Sequence, residues 1–165
     1  MGPIYEEGEY KIDCSAAVWS TNDIHKQYHY AGVKLKDVDW IIEDEEYIYM
    51  VEYKNALVSS AKKPGEFNPN KDQTRDKVVQ KFYDSLHYLN LIGKLKSKKY
   101  IYVVEAVGLD VTMRKKLKKN LKSNLPFKLQ ANLSNEVKII NDLDVLSIDE
   151  WNNDPVYGKY PISHI

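Results

Sequence analysis

The chain is poor in cysteine, with Cys14 as its single thiol among 165 residues. No intrachain disulfide can form, and no zinc site built from several cysteines can be assembled within one chain. No stretch approaches the ~18 continuous apolar residues that a membrane-spanning helix needs. The first residues also lack the basic start and apolar run of a secretion signal. These absences predict a cytoplasmic protein from a reducing compartment, with no membrane partner.

Net charge is also missing, because 24 basic residues balance 24 acidic ones. This balance argues against a protein that coats nucleic acid through bulk charge. The charges are unevenly spread, however, since residues 94–122 hold ten basic residues against only Glu105 and Asp110. That local excess fits either a face that binds a polyanion or a solvated helix surface with acidic partners elsewhere.

With 43% hydrophobic and 29% charged residues, the composition is that of a globular protein. The length suits one compact domain, so residues 1–165 are expected to form a single domain. A homodimer or a partner subunit that carries a targeting domain remains open.

Hydrophobic periodicity predicts alternating helices and strands. The chain would begin with a helix over residues 13–30 and a hairpin of strands over 38–43 and 47–53, joined by an acidic turn. A long loop over 55–71 and a strong helix over 72–91 would follow. The remainder would contain a strand over 100–107, a helix over 112–122, short strands over 137–140 and 145–148, and an irregular tail after Trp151. This order predicts an α/β fold with a central mixed β-sheet flanked by helices.

The hairpin carries the candidate catalytic residues. Glu52 and Lys54 are two apart on one strand, so their side chains point to the same face about 6.6 Å apart. A tight turn at residues 45–46 places Asp39 directly opposite Glu52, roughly 5 Å away. A turn one residue earlier would place Asp37 there and keep Asp39 on that face, whereas a three-residue turn would send Asp39 to the other face.

Two adjacent carboxylates repel each other unless a cation lies between them, and hard oxygen ligands suit Mg²⁺ or Mn²⁺. A bound metal lowers the pKa of a water and stabilises charge on a phosphate, while a nearby lysine can orient or help deprotonate that water. The cluster therefore has the outline of a phosphodiester-hydrolysing site. A cross-strand salt bridge on a solvated face would show the same residues.

This hairpin resembles the core motif of the PD-(D/E)XK nucleases. Asp39 stands before an apolar strand, an acidic turn follows, and a second apolar strand ends in Glu52-Tyr53-Lys54. The resemblance implies a restriction-endonuclease-like fold and metal ligation by Asp39, Glu52 and the main-chain carbonyl of Tyr53, with Lys54 as the catalytic lysine. It also implies a polar side chain from the following helix. Candidates for this role are Gln80 and Lys77 first, then Gln73 and Lys81.

This sequence departs from the family pattern in three places. Val38 stands where the family name puts proline, and only residues 33–35 offer the extra strand that usually precedes the aspartate strand. The first helix supplies no acidic ligand, so Glu6, Glu7 or Glu9 would have to replace it. His25 and His29 are spaced like metal ligands, but they lack a third partner and fit a surface helix.

The expected function is a nuclease, endo- or exo-acting, that uses Mg²⁺ or Mn²⁺. DNA is preferred over RNA as the substrate on resemblance alone, and the lysine-rich segment would receive the phosphate backbone. The alternative is a catalytically inactive nuclease-like fold that binds nucleic acid or another protein. The missing helix acid and the neutral net charge favour this alternative.

Overall fold

A computed structural model describes residues 2–133 and 136–165. Within these ranges, none of the helices is both long enough and apolar enough to cross a membrane. The regular elements, in chain order, are β1 (Ile4–Glu7), β2 (Tyr10–Asp13), β3 (Trp19–Thr21), α1 (Ile24–Tyr30), β4 (Trp40–Glu43), β5 (Ile48–Asn55), a 3₁₀ turn (Pro64–Glu66), α2 (Asp72–Leu91), β6 (Lys98–Glu105), α3 (Val111–Lys122), α4 (Phe127–Leu133), β7 (Asp142–Leu146), α5 (Ile148–Asn153), a 3₁₀ turn (Tyr157–Lys159) and β8 (Ile162–His164).

The central sheet has five strands in the order β3-β4-β5-β6-β7. β3, β4 and β5 pair antiparallel, whereas β5, β6 and β7 pair parallel. A second sheet has the order β1-β2-β8 and is antiparallel throughout. The chain is therefore an α/β protein with a mixed central sheet flanked by helices, as the sequence predicts.

Each face of the central sheet is covered by its own core. Ile48 and Met50 of β5 point to the face that packs against α1, α2 and α3, including Phe82. Tyr49 and Val51 point to the opposite face, where side chains of α5 and the second sheet cover them. Because the middle strands are buried on both faces, they read in sequence as nearly continuous apolar runs.

The hairpin register agrees with the tight-turn prediction. Trp40 lies opposite Val51, and the Asp44 amide donates to the Tyr47 carbonyl at 3.0 Å. The Asp44 carboxylate caps the turn by accepting bonds from the Glu46 and Tyr47 amides, both at 2.8 Å. The same register, continued by one pair, places Asp39 opposite Glu52.

The helix predicted over residues 72–91 is confirmed as α2. Val78, Phe82 and Leu89 form its buried stripe. Asp84 of the same helix is buried as well. Its carboxylate accepts a hydrogen bond from the Lys36 amide at 2.8 Å, which satisfies its polar group inside the fold.

Several predictions at the two ends of the chain were wrong. Residues 13–23 are not helical; β3 pairs with β4 and takes the place of the extra strand expected at 33–35. Residues 137–140 form no strand, and residues 145–148 cover only the end of β7 and the start of α5. The tail after Trp151 completes α5 and forms β8, which pairs with β2. The secondary structure of these segments depends on pairing with strands that are distant in sequence.

Candidate active site

Asp39 and Glu52 meet at the open end of the β4–β5 hairpin. Asp39 precedes β4 by one residue, and its carboxylate accepts a hydrogen bond from the Tyr53 amide at 2.8 Å. This bond holds the Asp39 carboxylate against the backbone next to Glu52. The structure thus brings together the two carboxylates that the sequence analysis selected.

Glu52 is almost fully buried, with only 4% of the residue exposed. Its Oε2 forms an ion pair with Lys81 Nζ, whereas its Oε1 is buried and accepts no hydrogen bond from the residues that the structure describes. Burial and the neighbouring Asp39 carboxylate raise the pKa of Glu52 well above its usual range, and Lys81 offsets this increase only in part. An unsatisfied buried carboxylate oxygen is costly, and such atoms cluster at functional sites.

Lys81 is the cation that α2 sends to the carboxylate pair. Burial alone would lower the pKa of Lys81, but the charges of Glu52 and Asp39 outweigh it and leave this pKa raised. Lys81 was only a secondary candidate from sequence. The preferred residue Gln80 points elsewhere and donates from Nε2 to Asp84 Oδ1 at 2.7 Å.

A pocket of about 300 Å³, the carboxylate pocket, opens between β5, β6 and α2. Lys54 and Lys77, both selected from sequence, line it together with Lys81. Lys54 Nζ lies 5.3 Å from the centre of the Phe67 ring. The other lining residues are Glu52, Phe67, Thr74, Val78 and Tyr102. Three lysines around one buried carboxylate make this pocket suited to a phosphate group.

Tyr102 is a site residue that the sequence analysis missed. It pairs with Glu52 in the parallel register of β5 and β6, and its side chain lines the carboxylate pocket. Burial, with the nearby Glu52 charge, raises the pKa of Tyr102, so its phenol stays neutral and able to donate a hydrogen bond. Strand alternation is the sequence signal for this residue, because it places Tyr102 on the same sheet face as Tyr100.

The segment that presents Asp39 is clamped by α2. The Val38 amide donates to Ser85 Oγ at 2.9 Å, and the Lys36 amide donates to Asp84 Oδ2 at 2.8 Å. Both bonds fix the approach of the chain to Asp39. Together with the bond from the Tyr53 amide, these hydrogen bonds form a polar network that fixes the Asp39 carboxylate.

The acidic residues of the β1–β2 hairpin lie in different surroundings. Glu7 is exposed at the end of β1, yet desolvation by the surrounding protein and the Asp39 charge raise its pKa, so Glu7 lies within electrostatic reach of the carboxylate pair. Glu9 instead accepts bonds from the Ser59 and Ser60 amides at 3.3 and 3.2 Å and anchors the start of the 56–71 loop. Glu6 lies opposite Lys11 on the exposed surface of the small sheet.

The other sequence candidates do not join the pocket. The Tyr53 ring points away from it and packs 5.2 Å from the Trp40 ring, centre to centre. His25 Nδ1 lies 3.0 Å from the Asp37 carboxylate. Gln73 is exposed near the start of α2, and Cys14 is buried.

The ten basic residues of segment 94–122 do not form a single face. Lys94 and Lys96 bind Glu43, and Lys98 is buried. Lys98 pairs with Ile48, four residues before Glu52, so this group lies toward the other end of the sheet, roughly 13 Å away along β5. Others are engaged locally: Arg114 with Glu150, Lys118 with Asp144, Lys99 with Tyr47, and Lys122 with Phe127.

Across residues 2–133 and 136–165, no group of three or more histidine, cysteine or acidic side chains is arranged to hold a metal ion. Asp39 and Glu52 offer two carboxylates, and Glu52 Oε1 accepts no hydrogen bond from the part of the chain that the structure describes. Mg²⁺ is commonly held by only one or two carboxylates, with waters and substrate phosphates completing its shell. The donor set therefore fits a hard divalent cation of that kind.

Comparison with protein-family models, with curated proteins and with solved structures finds no match to this chain. The fold and the site define it only as an α/β domain with a carboxylate pair and three lysines at one end of a mixed sheet.

Proposed function

We propose that this protein is a metal-dependent nuclease of the restriction-endonuclease-like kind that hydrolyses phosphodiester bonds, with DNA as the preferred substrate. The observation that carries the proposal is the buried Glu52 carboxylate, which lies beside Asp39 and has one oxygen without a hydrogen bond from any described residue. Such an arrangement destabilises the folded chain unless a ligand uses it.

The carboxylate pair would hold the ion. Asp39 and Glu52 would bind Mg²⁺ or Mn²⁺, with the Tyr53 main-chain carbonyl as the third protein ligand that the family resemblance implies. The bound ion would supply a water of lowered pKa and stabilise charge on the phosphate. Glu7, at the edge of the site, is a candidate for the acidic residue that the first helix lacks.

The lysines of the carboxylate pocket would handle the substrate and the water. Lys54 shares the strand face of Glu52 and would orient the attacking water or help to remove its proton. Lys77 and Lys81 would each bind a non-bridging phosphate oxygen. Tyr102 would donate a hydrogen bond from its neutral phenol to the same phosphate.

A second candidate is a nuclease-like module that binds nucleic acid without cutting it. The specific observation in its favour is the Lys81–Glu52 ion pair, in which a lysine already neutralises the carboxylate that an ion would use. In this alternative the three lysines would still bind phosphate. Metal-dependent cleavage separates the two candidates.

The test is incubation of purified protein with labelled single- and double-stranded DNA and RNA in Mg²⁺, Mn²⁺ or chelator. Lys54→Ala, prepared identically, is the matched control because Lys54 is exposed and its removal leaves the core intact. Cleavage that needs metal and is lost in the variant supports the nuclease. No cleavage, or equal cleavage by the variant, favours the binding module.

A further inference from the structure

A second pocket, the Phe67 pocket, adjoins the carboxylate pocket. It encloses about 240 Å³ and has Phe67 as a wall in common with the first pocket. It is formed where the loop before α2 meets the turn between β6 and α3. A ligand group in the Phe67 pocket would therefore be a direct neighbour of a phosphate in the carboxylate pocket.

The walls of the Phe67 pocket combine exposed apolar side chains with a ring. Val107 is 61% exposed and Met113 is 38% exposed, although both side chains are apolar. Gly108 adds a wall without a side chain, and its φ of +74° is a backbone conformation that favours glycine. Exposed apolar groups beside an aromatic ring favour a flat, weakly polar ligand.

Two amide side chains give the pocket hydrogen-bond donors. Asn70 Oδ1 accepts bonds from Arg75 Nη1 at 2.8 Å and Asn120 Nδ2 at 3.0 Å, so the Asn70 amide is fixed with its NH₂ group left to donate. Asn68 Oδ1 accepts a hydrogen bond from the backbone N–H of Asn70 at 3.0 Å, so the side-chain NH₂ group of Asn68 is also left to donate. Donors of this kind match ring carbonyl and imine acceptors.

We propose that the Phe67 pocket receives one unpaired nucleobase from the strand whose phosphate lies in the carboxylate pocket. Its volume is below the range of about 300–1,000 Å³ that accommodates larger ligands, and so suits a single ring system. A base inside a duplex is stacked and paired and cannot enter such a pocket. The substrate class is therefore single-stranded nucleic acid, or a duplex with an unpaired nucleotide beside the bond to be cut.

This inference rests on the proposed function, because it assigns the neighbouring pocket to a phosphodiester. It adds that binding depends on the base as well as on the phosphate. Stacking on an aromatic side chain together with amide hydrogen bonds should favour a normal strand over an abasic one by about tenfold. A lysine-only phosphate site would show no such preference.

The test is fluorescence anisotropy in chelator, so that nothing is cut, with a labelled single strand, its duplex and an abasic strand of equal length. Two variants of the protein are compared with wild type. Phe67→Leu keeps an apolar side chain but removes the ring, and Asn68→Asp replaces a hydrogen-bond donor with a negative charge. Phe127→Leu is the matched control, because Phe127 also lies under a lysine, with Lys122 Nζ 4.9 Å from its ring centre, but outside both pockets.

We expect tighter binding of the normal single strand than of the abasic strand or the duplex. This preference should disappear in Phe67→Leu and Asn68→Asp and persist in Phe127→Leu. Equal binding of normal and abasic strands by a protein that still cuts them would overturn the base pocket and leave the nuclease standing. Failure of every oligonucleotide to bind would overturn both proposals together.

Discussion

The β4–β5 hairpin buries one glutamate at each end, and the two have opposite surroundings. Glu43, next to the turn, is 6% exposed and lies 2.9 Å from Lys94 Nζ and 3.1 Å from Lys96 Nζ. Glu52, at the open end, is 4% exposed and shares a single lysine with Asp39. Both glutamates point to the sheet face that packs against α2.

The two carboxylates differ in their pKa. Burial alone would raise the pKa of Glu43, but its two lysines outweigh that effect and lower it. Burial and Asp39 raise the pKa of Glu52. A buried acid with enough cations stabilises the fold, whereas a buried acid beside a second acid is retained at a cost in stability. The comparison teaches that burial alone does not mark a site, and that an excess of negative charge does.

The largest expected effect is on hydrolysis. Glu52→Gln should reduce metal-dependent cleavage by about 100-fold or more, because it removes a charged ligand and keeps the side-chain shape. Glu43→Gln should keep activity within a few-fold of wild type. Initial rates of oligonucleotide cleavage measure both. Similar losses in the two variants would mean that Glu52 has no special role.

The free energy of unfolding should respond in the opposite order. Glu43→Gln should lose about 2 kcal/mol of the free energy of unfolding. This loss is smaller than for a fully buried ion pair, because Lys94 and Lys96 keep 28% and 32% of their side chains exposed. Glu52→Gln, in chelator, should be neutral or more stable by up to about 1 kcal/mol, because it removes a destabilised carboxylate. Urea unfolding provides the measurement. A Glu52→Gln variant less stable than Glu43→Gln would contradict the comparison.

The stabilisation by Glu43 should depend on pH with a defined sign. Its folded pKa lies below the ordinary value of 4.5, so the folded state holds fewer protons than the unfolded state as the pH falls. The stabilisation is therefore complete above about pH 4.5 and is lost as the pH falls through the folded pKa. Unfolding curves of wild type and Glu43→Gln should converge in acid. A constant gap between them would rule out the ion pairs as its cause.

The smallest expected effect is on oligonucleotide binding by single lysines, one in the carboxylate pocket and one at the other end of the sheet. Lys77→Gln should weaken oligonucleotide binding a few-fold and reduce the slope of log affinity against log salt by about one, because one phosphate contact is lost. Lys99→Gln should leave the slope unchanged, since Lys99 lies over the Tyr47 ring at the other end of the strand. Affinity titrations at several salt concentrations provide the measurement. Equal slopes for the two variants would remove Lys77 from the phosphate site.

Local chemistry made the hairpin and α2 predictable from sequence. The apolar runs of β4 and β5 and the acidic turn with Asp44 at its start locate the hairpin, and a tight turn gives the register that places Asp39 opposite Glu52. The choice between Gln80 and Lys81 also had a signal, because Lys81 is three residues after the buried Val78 and so shares its helix face. The candidate pair was therefore within reach of sequence reasoning, together with the three pocket lysines, of which Lys81 was the weaker candidate.

Tertiary pairing determines the features that the sequence could not provide. β3 is a strand only because β4 lies beside it, and β8 depends on β2, about 150 residues earlier in the chain. The sequence left open whether the lysine-rich segment is one basic face or a solvated surface with acidic partners, and the parallel crossover divides it between the far end of the sheet and α3. The Phe67 pocket likewise joins two loops that are distant in sequence.

Calorimetric titration of Mn²⁺ into metal-free wild type, Glu52→Gln and Glu43→Gln tests the central claim most directly. We predict one binding site in wild type and in Glu43→Gln, and none in Glu52→Gln, because Glu52, unlike Glu43, has a second carboxylate beside it and a buried oxygen that accepts no hydrogen bond from the described residues. Equal binding by all three proteins, or no binding by any of them, would contradict the assignment of this carboxylate pair to a metal.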